Sequence, residues 1–242
     1  MLPSLANLGC DTGPAVVRGR EELGTEQNEP KRARKERRTP ILVNGEWVRY
    51  YRHAPHDNAS IRRAVEQLWD PSQVAAMTAE YGPVAEWDVS EVEDFSELFF
   101  DWTNSIADLS GWDVGNAKDL RFMFSEATRF TSDLSRWNVG KVEDMSRMFT
   151  GATRFTSDLS QWEVGNVKNM DSMFAGATSF TSDLSKWEVG NVGRMSHMFE
   201  RANSFTSDLS QWNVSKVRNM TGMFERATSF TSDLSQWNVS KV

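Results

Sequence analysis

The stretch FTSDLSQWNVSKVRNMTGMFERATS, residues 205–229, decides the fold, because the chain repeats it. Displaced by 25 residues, the sequence lays Trp87, Trp112, Trp137, Trp162, Trp187, Trp212 and Trp237 on one another. Asp108, Asp133, Asp158, Asp183, Asp208 and Asp233 coincide as well, each followed by Leu. Phe99, Phe124, Phe149, Phe174, Phe199 and Phe224 form a further column. A fixed period of roughly 20–50 residues marks a solenoid or array, in which each unit buries its apolar face only against its neighbours. The Trp and Phe columns recur at constant phase, so they are expected inside.

Within one unit, KVEDMSRMFTGA (residues 141–152) places Val142, Met145, Met148, Phe149 and Ala152 at the spacing of one helix face. That spacing predicts a short helix. DLSRWNV (133–139) carries Leu134, Trp137 and Val139 without helical spacing, which predicts a very short strand over 134–137. Stacked coils would join these strands into a narrow parallel sheet with a spacing of about 4.8 Å. The expected fold class is therefore α/β: a leucine-rich-repeat-like solenoid of 25-residue coils, each a short strand plus a short helix, over residues 84–242.

Ahead of the repeats, residues 41–83 are expected to form an N-terminal cap. Asn44-Gly45 is a strong hairpin turn signal inside ILVNGEWVRYYR. Ile61, Ala64, Val65 and Leu68 predict a helix over 59–69, capped by Asn58 or Ser60. Asp70-Pro71 predicts a second helix reaching about Ala79, closed by Gly82-Pro83. Residues 1–40 lack apolar periodicity and are expected to be disordered. Their basic run Lys31–Arg38 is either a solvated linker or a targeting patch.

Charge and composition narrow the function. Residues 81–242 carry fifteen basic and twenty-three acidic side chains, net −8, which disfavours nucleic-acid binding by the repeat body. Cys10 is the single cysteine, so no intrachain disulfide can form. No apolar run is long enough to span a membrane as a helix. The first ten residues make a poor signal peptide, lacking a basic start.

The segment MFTGATRFTSDLSQWEVGNVKNM, residues 148–170, resembles the BspA-like leucine-rich repeats, also called the bacterial surface protein 26-residue repeat. The resemblance covers residues 84–242. It implies a leucine-rich-repeat solenoid, a role in surface attachment or protein contact, and no catalytic residues. Departures are the period of 25, Thr156-Ser157 where the family commonly has Asn-Gln, and an irregular first unit with Trp102 and Ser105 in the Ala and Phe columns.

No constellation for catalysis stands out. The Asp column admits two readings: a row of calcium sites, or carboxylates each bonded to backbone N–H groups of its own turn. The second is favoured, since no Gly-rich calcium signature accompanies it. The column Ser110 to Ser235 is expected to be a hydrogen-bonded ladder. His53 and His56 lack further Cys or His partners nearby. No catalytic, cofactor-binding or metal residue is expected. The variable positions flanking the Trp column are Arg136, Asn138, Gln161, Glu163, Lys186, Glu188, Gln211 and Asn213, and they are expected to line a partner-binding ribbon.

The expected function is a non-enzymatic repeat scaffold that docks a protein or surface glycan. A nuclear or cytoplasmic adaptor directed by Lys31–Arg38 is the alternative, and an enzyme with a site in 41–83 is disfavoured for want of a nucleophile–base pair. The compartment is left open between cell surface, nucleus and cytoplasm. The sequence stops at Lys241-Val242, where the next Met- and Phe-bearing segment would begin, which predicts an exposed apolar end and end-to-end self-association.

Overall fold

The computed structural model describes residues 41–43, 46–48, 55–104 and 107–242. The expectations for residues 1–40, including Lys31–Arg38, for the Asn44-Gly45 turn, and for His53 and Ser105 lie outside them. The chain divides into two compact units, residues 1–51 and 52–242. In the first, β1 (Ile41–Val43) and β2 (Glu46–Val48) pair antiparallel, with Leu42 opposite Trp47.

The second unit begins with two helices. Asp57 caps α1 (Asn58–Leu68): its carboxylate accepts from the Ser60 N–H at 2.7 Å, and the Asp57 N–H donates to Ser60 Oγ at 3.1 Å. The α1 stripe Ile61, Ala64 and Val65 is buried. Asp70 does not open a helix directly. Its carboxylate accepts from Ser72 N and Oγ, holding a turn, and α2 (Val74–Tyr81) starts beyond it. Gly82, at φ 81°, ends α2, a conformation that disfavours side chains with a Cβ.

From Trp87 onward the described residues form a stack of coils without a helix, and this corrects the expected strand-plus-helix unit. The segment 141–152 is a ribbon of tight turns. N–H groups of Met145, Arg147, Phe149 and Gly151 donate to carbonyls of the next coil, at Asn169, Asp171, Met173 and Ala175, over 2.8–3.0 Å. The alternate N–H groups of Met148, Thr150 and Ala152 donate three residues back. A helix would use its N–H groups internally and leave none to join the coils. Positive φ at Arg147 (56°) and Gly151 (68°) turns the chain out of the right-handed helical region at every fourth residue. The same torsion recurs at Glu97, Phe122, Ser172, His197 and Gly222, so the conformation belongs to the repeat. A non-glycine residue held there costs on the order of 1–3 kcal/mol, and persists because both neighbouring coils fix it.

The expected strand over 134–137 is likewise a turn, closed by Trp137 N–H to Leu134 C=O at 3.0 Å. Parallel pairing is reduced to one residue per coil, running through Asp94, Asp119, Asp144, Asn169, Arg194 and Asn219. No helix or multi-residue strand is present in the described coils, so the strand-and-helix leucine-rich-repeat solenoid is not the architecture.

Side-chain ladders hold the stack together. Phe124, Phe149, Phe174, Phe199 and Phe224 stack with centroids 5.7 Å apart. A second Phe column lies alongside, with Phe174 and Phe180 of one coil 4.1 Å apart. Trp187 Nε1–H donates to Leu159 C=O of the preceding coil at 2.9 Å, and Trp162 and Trp212 repeat the bond to Leu134 and Leu184. Between these columns Val, Met and Ala side chains are fully buried in the middle coils. Towards the last coil burial falls, and Val239 and Val242 are exposed.

Helix α1 closes the other end, and the contacts explain how. Asn58 Oδ1 accepts from the N–H groups of Glu93 and Asp94, at 3.0 and 3.1 Å. In the next coil the Lys118 and Asp119 N–H groups bond the Glu93 carbonyl, so Asn58 takes the place of a coil that does not precede residue 93. Arg62 donates to Ser96 C=O at 2.7 Å and pairs with Asp94 at 3.0 Å. Trp102, at the irregular position, packs edge-on against Trp69 at the end of α1 with centroids 4.7 Å apart. Asn58→Ala is expected to lower stability by about 1 kcal/mol, since two N–H groups lose their acceptor to solvent-competed bonding. Urea denaturation checks this, with Ala59→Ser on the exposed face of α1 as the neutral comparison.

Candidate functional site: an exposed ribbon beside the tryptophan column

Each coil carries its ribbon residues on the turn that places Trp in the core. Asp133 Oδ1 accepts from the Ser135 N–H at 2.9 Å, which starts the turn. Trp137 N–H then bonds Leu134 C=O and closes it. Leu134 and Trp137 point inward and are buried, so the residues between and after them, Arg136 and Asn138, are left outside. The same geometry repeats at Gln161 and Glu163, Lys186 and Glu188, and Gln211 and Asn213, and all eight are exposed.

The ribbon residues differ in how far they are already engaged. Asn138 Oδ1 accepts from Gly140 N–H at 3.1 Å, and Asn213 Oδ1 accepts from Ser215 N–H and Oγ. Gln161 and Gln211 donate to the hydroxyls of Ser160 and Ser210. Glu163 and Glu188 make no hydrogen bond or ion pair with a described residue. The small residues Gly140 and Gly165 lie beside them: a Cβ at Gly140 would sit 3.6 Å from Glu163, and one at Gly165 3.9 Å from Glu188. The two carboxylates therefore stand on adjacent coils with their heads available.

The Asp column is engaged locally. In every coil from Asp133 to Asp233 the N–H of the Ser two residues on bonds the carboxylate, and this holds all five carboxyls below their usual range. The ladder between coils runs through a different serine column from Ser110–Ser235. Ser182 Oγ accepts from Leu159 N–H at 2.8 Å and donates to Asp158 at 3.2 Å, and Ser157 and Ser207 do the same one coil away on either side. Sequence reading missed this role, although Thr-Ser ahead of Asp in every unit from Asp133 to Asp233 is its signal. Among the described residues no group of three or more His, Cys, Asp or Glu is arranged to hold a metal ion. His56 is exposed ahead of α1, and His197 sits at a positive-φ position 3.1 Å from Glu200.

The bridge column has its own electrostatics. Burial pushes the Asp119 carboxyl above its usual range, with Asp94 and Asp144 on the adjacent coils adding to the rise against Arg121. A raised folded value means that Asp119 favours folding while protonated and that this contribution is lost as pH rises through the folded value. Asn169 and Asn219 occupy the same column and keep the same bond to the N–H two residues on, at 3.1 and 3.0 Å. Asp119→Asn is therefore expected to raise the melting temperature at pH 7 relative to the native chain. The difference should vanish below pH 3.8, the ordinary carboxyl value. Paired thermal melts at the two pH values measure it, and a lower melting temperature at pH 7 would contradict it.

Repeat units at constant phase, joined by ladders and presenting variable polar columns beside a buried Trp column, define a tandem-repeat protein. The chain belongs to the family described as Mycoplasma protein of unknown function, DUF285, whose model matches residues 57–181 and again 157–242. No curated protein matches it. Among the described residues no helix is long and apolar enough to cross a membrane.

Proposed function

We propose that the chain is a non-enzymatic repeat scaffold whose Trp-flanking ribbon docks a partner protein. The observation that carries this reading is the repetition of eight exposed polar positions on four coils whose backbone is fixed by buried ladders. A rigid surface loses little conformational entropy on binding, so side-chain chemistry at the variable positions can be used for recognition. Glu163 and Glu188, unpaired on adjacent coils among the described residues, suit a cationic side chain of the partner. The likeness of residues 148–170 to the BspA-like surface repeats supports the same reading.

The test is affinity capture from cell-surface and extracellular protein fractions with the full chain as bait. Glu163→Lys/Glu188→Lys is expected to abolish capture while leaving the melting temperature within about a degree, since exposed substitutions are usually near neutral. Retention of every captured protein by this variant would remove the ribbon from the binding surface.

A further inference from the structure

One column of the stack alternates in charge and then breaks. Glu93, Lys118, Glu143, Lys168, Gly193 and Arg218 follow one another at the period of 25. Their backbones are held in one register: each N–H from Lys118 to Arg218 donates to the carbonyl of the residue before it in the column, over 2.8–2.9 Å. Lys118 pairs with Glu93 and Lys168 with Glu143. By the same alternation Arg218 should meet a carboxylate at 193, but that residue is glycine. Arg218 makes no side-chain hydrogen bond or ion pair with a described residue.

The adjacent column changes sign at the same place. Asp94, Asp119 and Asp144 give way to Asn169, Arg194 and Asn219. The third column contributes Lys216, whose ammonium is 2.7 Å from Asn191 Oδ1. A surface depression results, lined by Lys168, Gly193, Arg194, Lys216, Arg218 and Lys241, on a repeat body whose net charge is −8. Arg194 is answered by Asp171, and Lys168 by Glu143. Arg218, Lys216 and Lys241 have no acidic partner among the described residues and remain to meet an anion from outside.

We propose that the gap at Gly193 is a docking site for a glutamate- or aspartate-bearing segment of a partner protein, whose carboxylate takes the place left by the missing acid. This deepens the scaffold reading and rests on it. The geometry favours a carboxylate because the two intact rungs of the column are closed by Glu carboxylates on Lys ammonium groups. Arg218 offers a planar fork that a carboxylate engages with two parallel bonds. The surrounding cations steer an acidic segment towards the gap, while the acidic remainder of the body repels it elsewhere.

The experiment uses the full chain and a fluorescein-labelled hexaglutamate peptide, read by fluorescence anisotropy at low ionic strength. The peptide is expected to bind and the matching hexaglutamine peptide is not. Gly193→Glu supplies the missing carboxylate from within. The position has no positive φ, and a Cβ there meets only Lys168 C=O at 3.8 Å, so the variant should fold. Gly193→Glu and Arg218→Gln are each expected to weaken binding at least about tenfold. Lys118→Gln, in a paired rung outside the depression, should leave it unchanged. The proposal is overturned if hexaglutamate does not bind, or if Lys118→Gln weakens binding as much as Arg218→Gln. It is also overturned if inorganic phosphate displaces the peptide far better than acetate at equal ionic strength, which would assign a phosphate site. Each of these failures leaves capture through Glu163 and Glu188 intact, so it is distinguishable from failure of the scaffold reading.

Discussion

Phe174→Ala is expected to cost about 3–5 kcal/mol of stability, the range for truncating a buried aromatic side chain. Phe174 is fully buried, stacked 5.7 Å from both Phe149 and Phe199 and 4.1 Å from Phe180 in its own coil. Truncation opens a void that the ring above and the ring below cannot close, because ladders on both sides hold their coils apart. Phe224 holds the same column position in a coil where burial is only partial. Phe224→Ala should therefore cost clearly less. Urea denaturation of the two variants gives the comparison. A stack with equal losses at both positions, or no loss at Phe174, would contradict a ladder whose strength depends on having neighbours on both sides.

The second large effect is expected at Trp187. Its ring lies 6.4 Å from Trp162 and 6.5 Å from Trp212, nearly parallel to each. Its Nε1–H shares the Leu159 carbonyl with the Trp162 backbone N–H, at 2.9 and 3.0 Å, so both lone pairs of that oxygen are used. Trp187→Ala removes ring and bond together and should cost about 3–5 kcal/mol. Trp187→Phe keeps most of the ring contact. It takes away one of the two bonds at the carbonyl and some volume, for an expected loss of about 1–3 kcal/mol. Chemical denaturation separates the two variants. If both lose the same stability, the hydrogen bond is not what ties the coils at this column.

Much of this was legible in the residues. The period of 25 and the phase of the Trp, Phe and Met columns follow from the sequence alone, because a column that recurs at one phase must face one side of every coil. Ile61, Ala64 and Val65 mark the buried stripe of α1 because that helix closes its hydrogen bonds within itself. The eight ribbon positions can be listed for the same reason, since they flank a residue that has to be buried. The break in the charged column at Gly193, where a carboxylate is missing among cations, is also written in one column, but it becomes visible only when the residues are aligned coil by coil.

The conformation of the coil is a different matter. Met145, Met148, Phe149 and Ala152 have helical spacing, yet the segment is a ribbon of turns whose alternate N–H groups leave the coil. The spacing is shared by both conformations, so periodicity cannot separate them. What separates them is the destination of each N–H, and for Arg147 and Gly151 that destination is a carbonyl 24 residues ahead. The sequence by itself determined the period, the buried columns and the exposed positions, because these depend only on which side chains avoid water. Tertiary structure alone decided that the coils have turns in place of strands and helices, and that Asn58 seals the first of them. Those outcomes depend on which acceptor in a neighbouring coil or in α1 each backbone N–H finds, and such bonds exist only once the stack has formed.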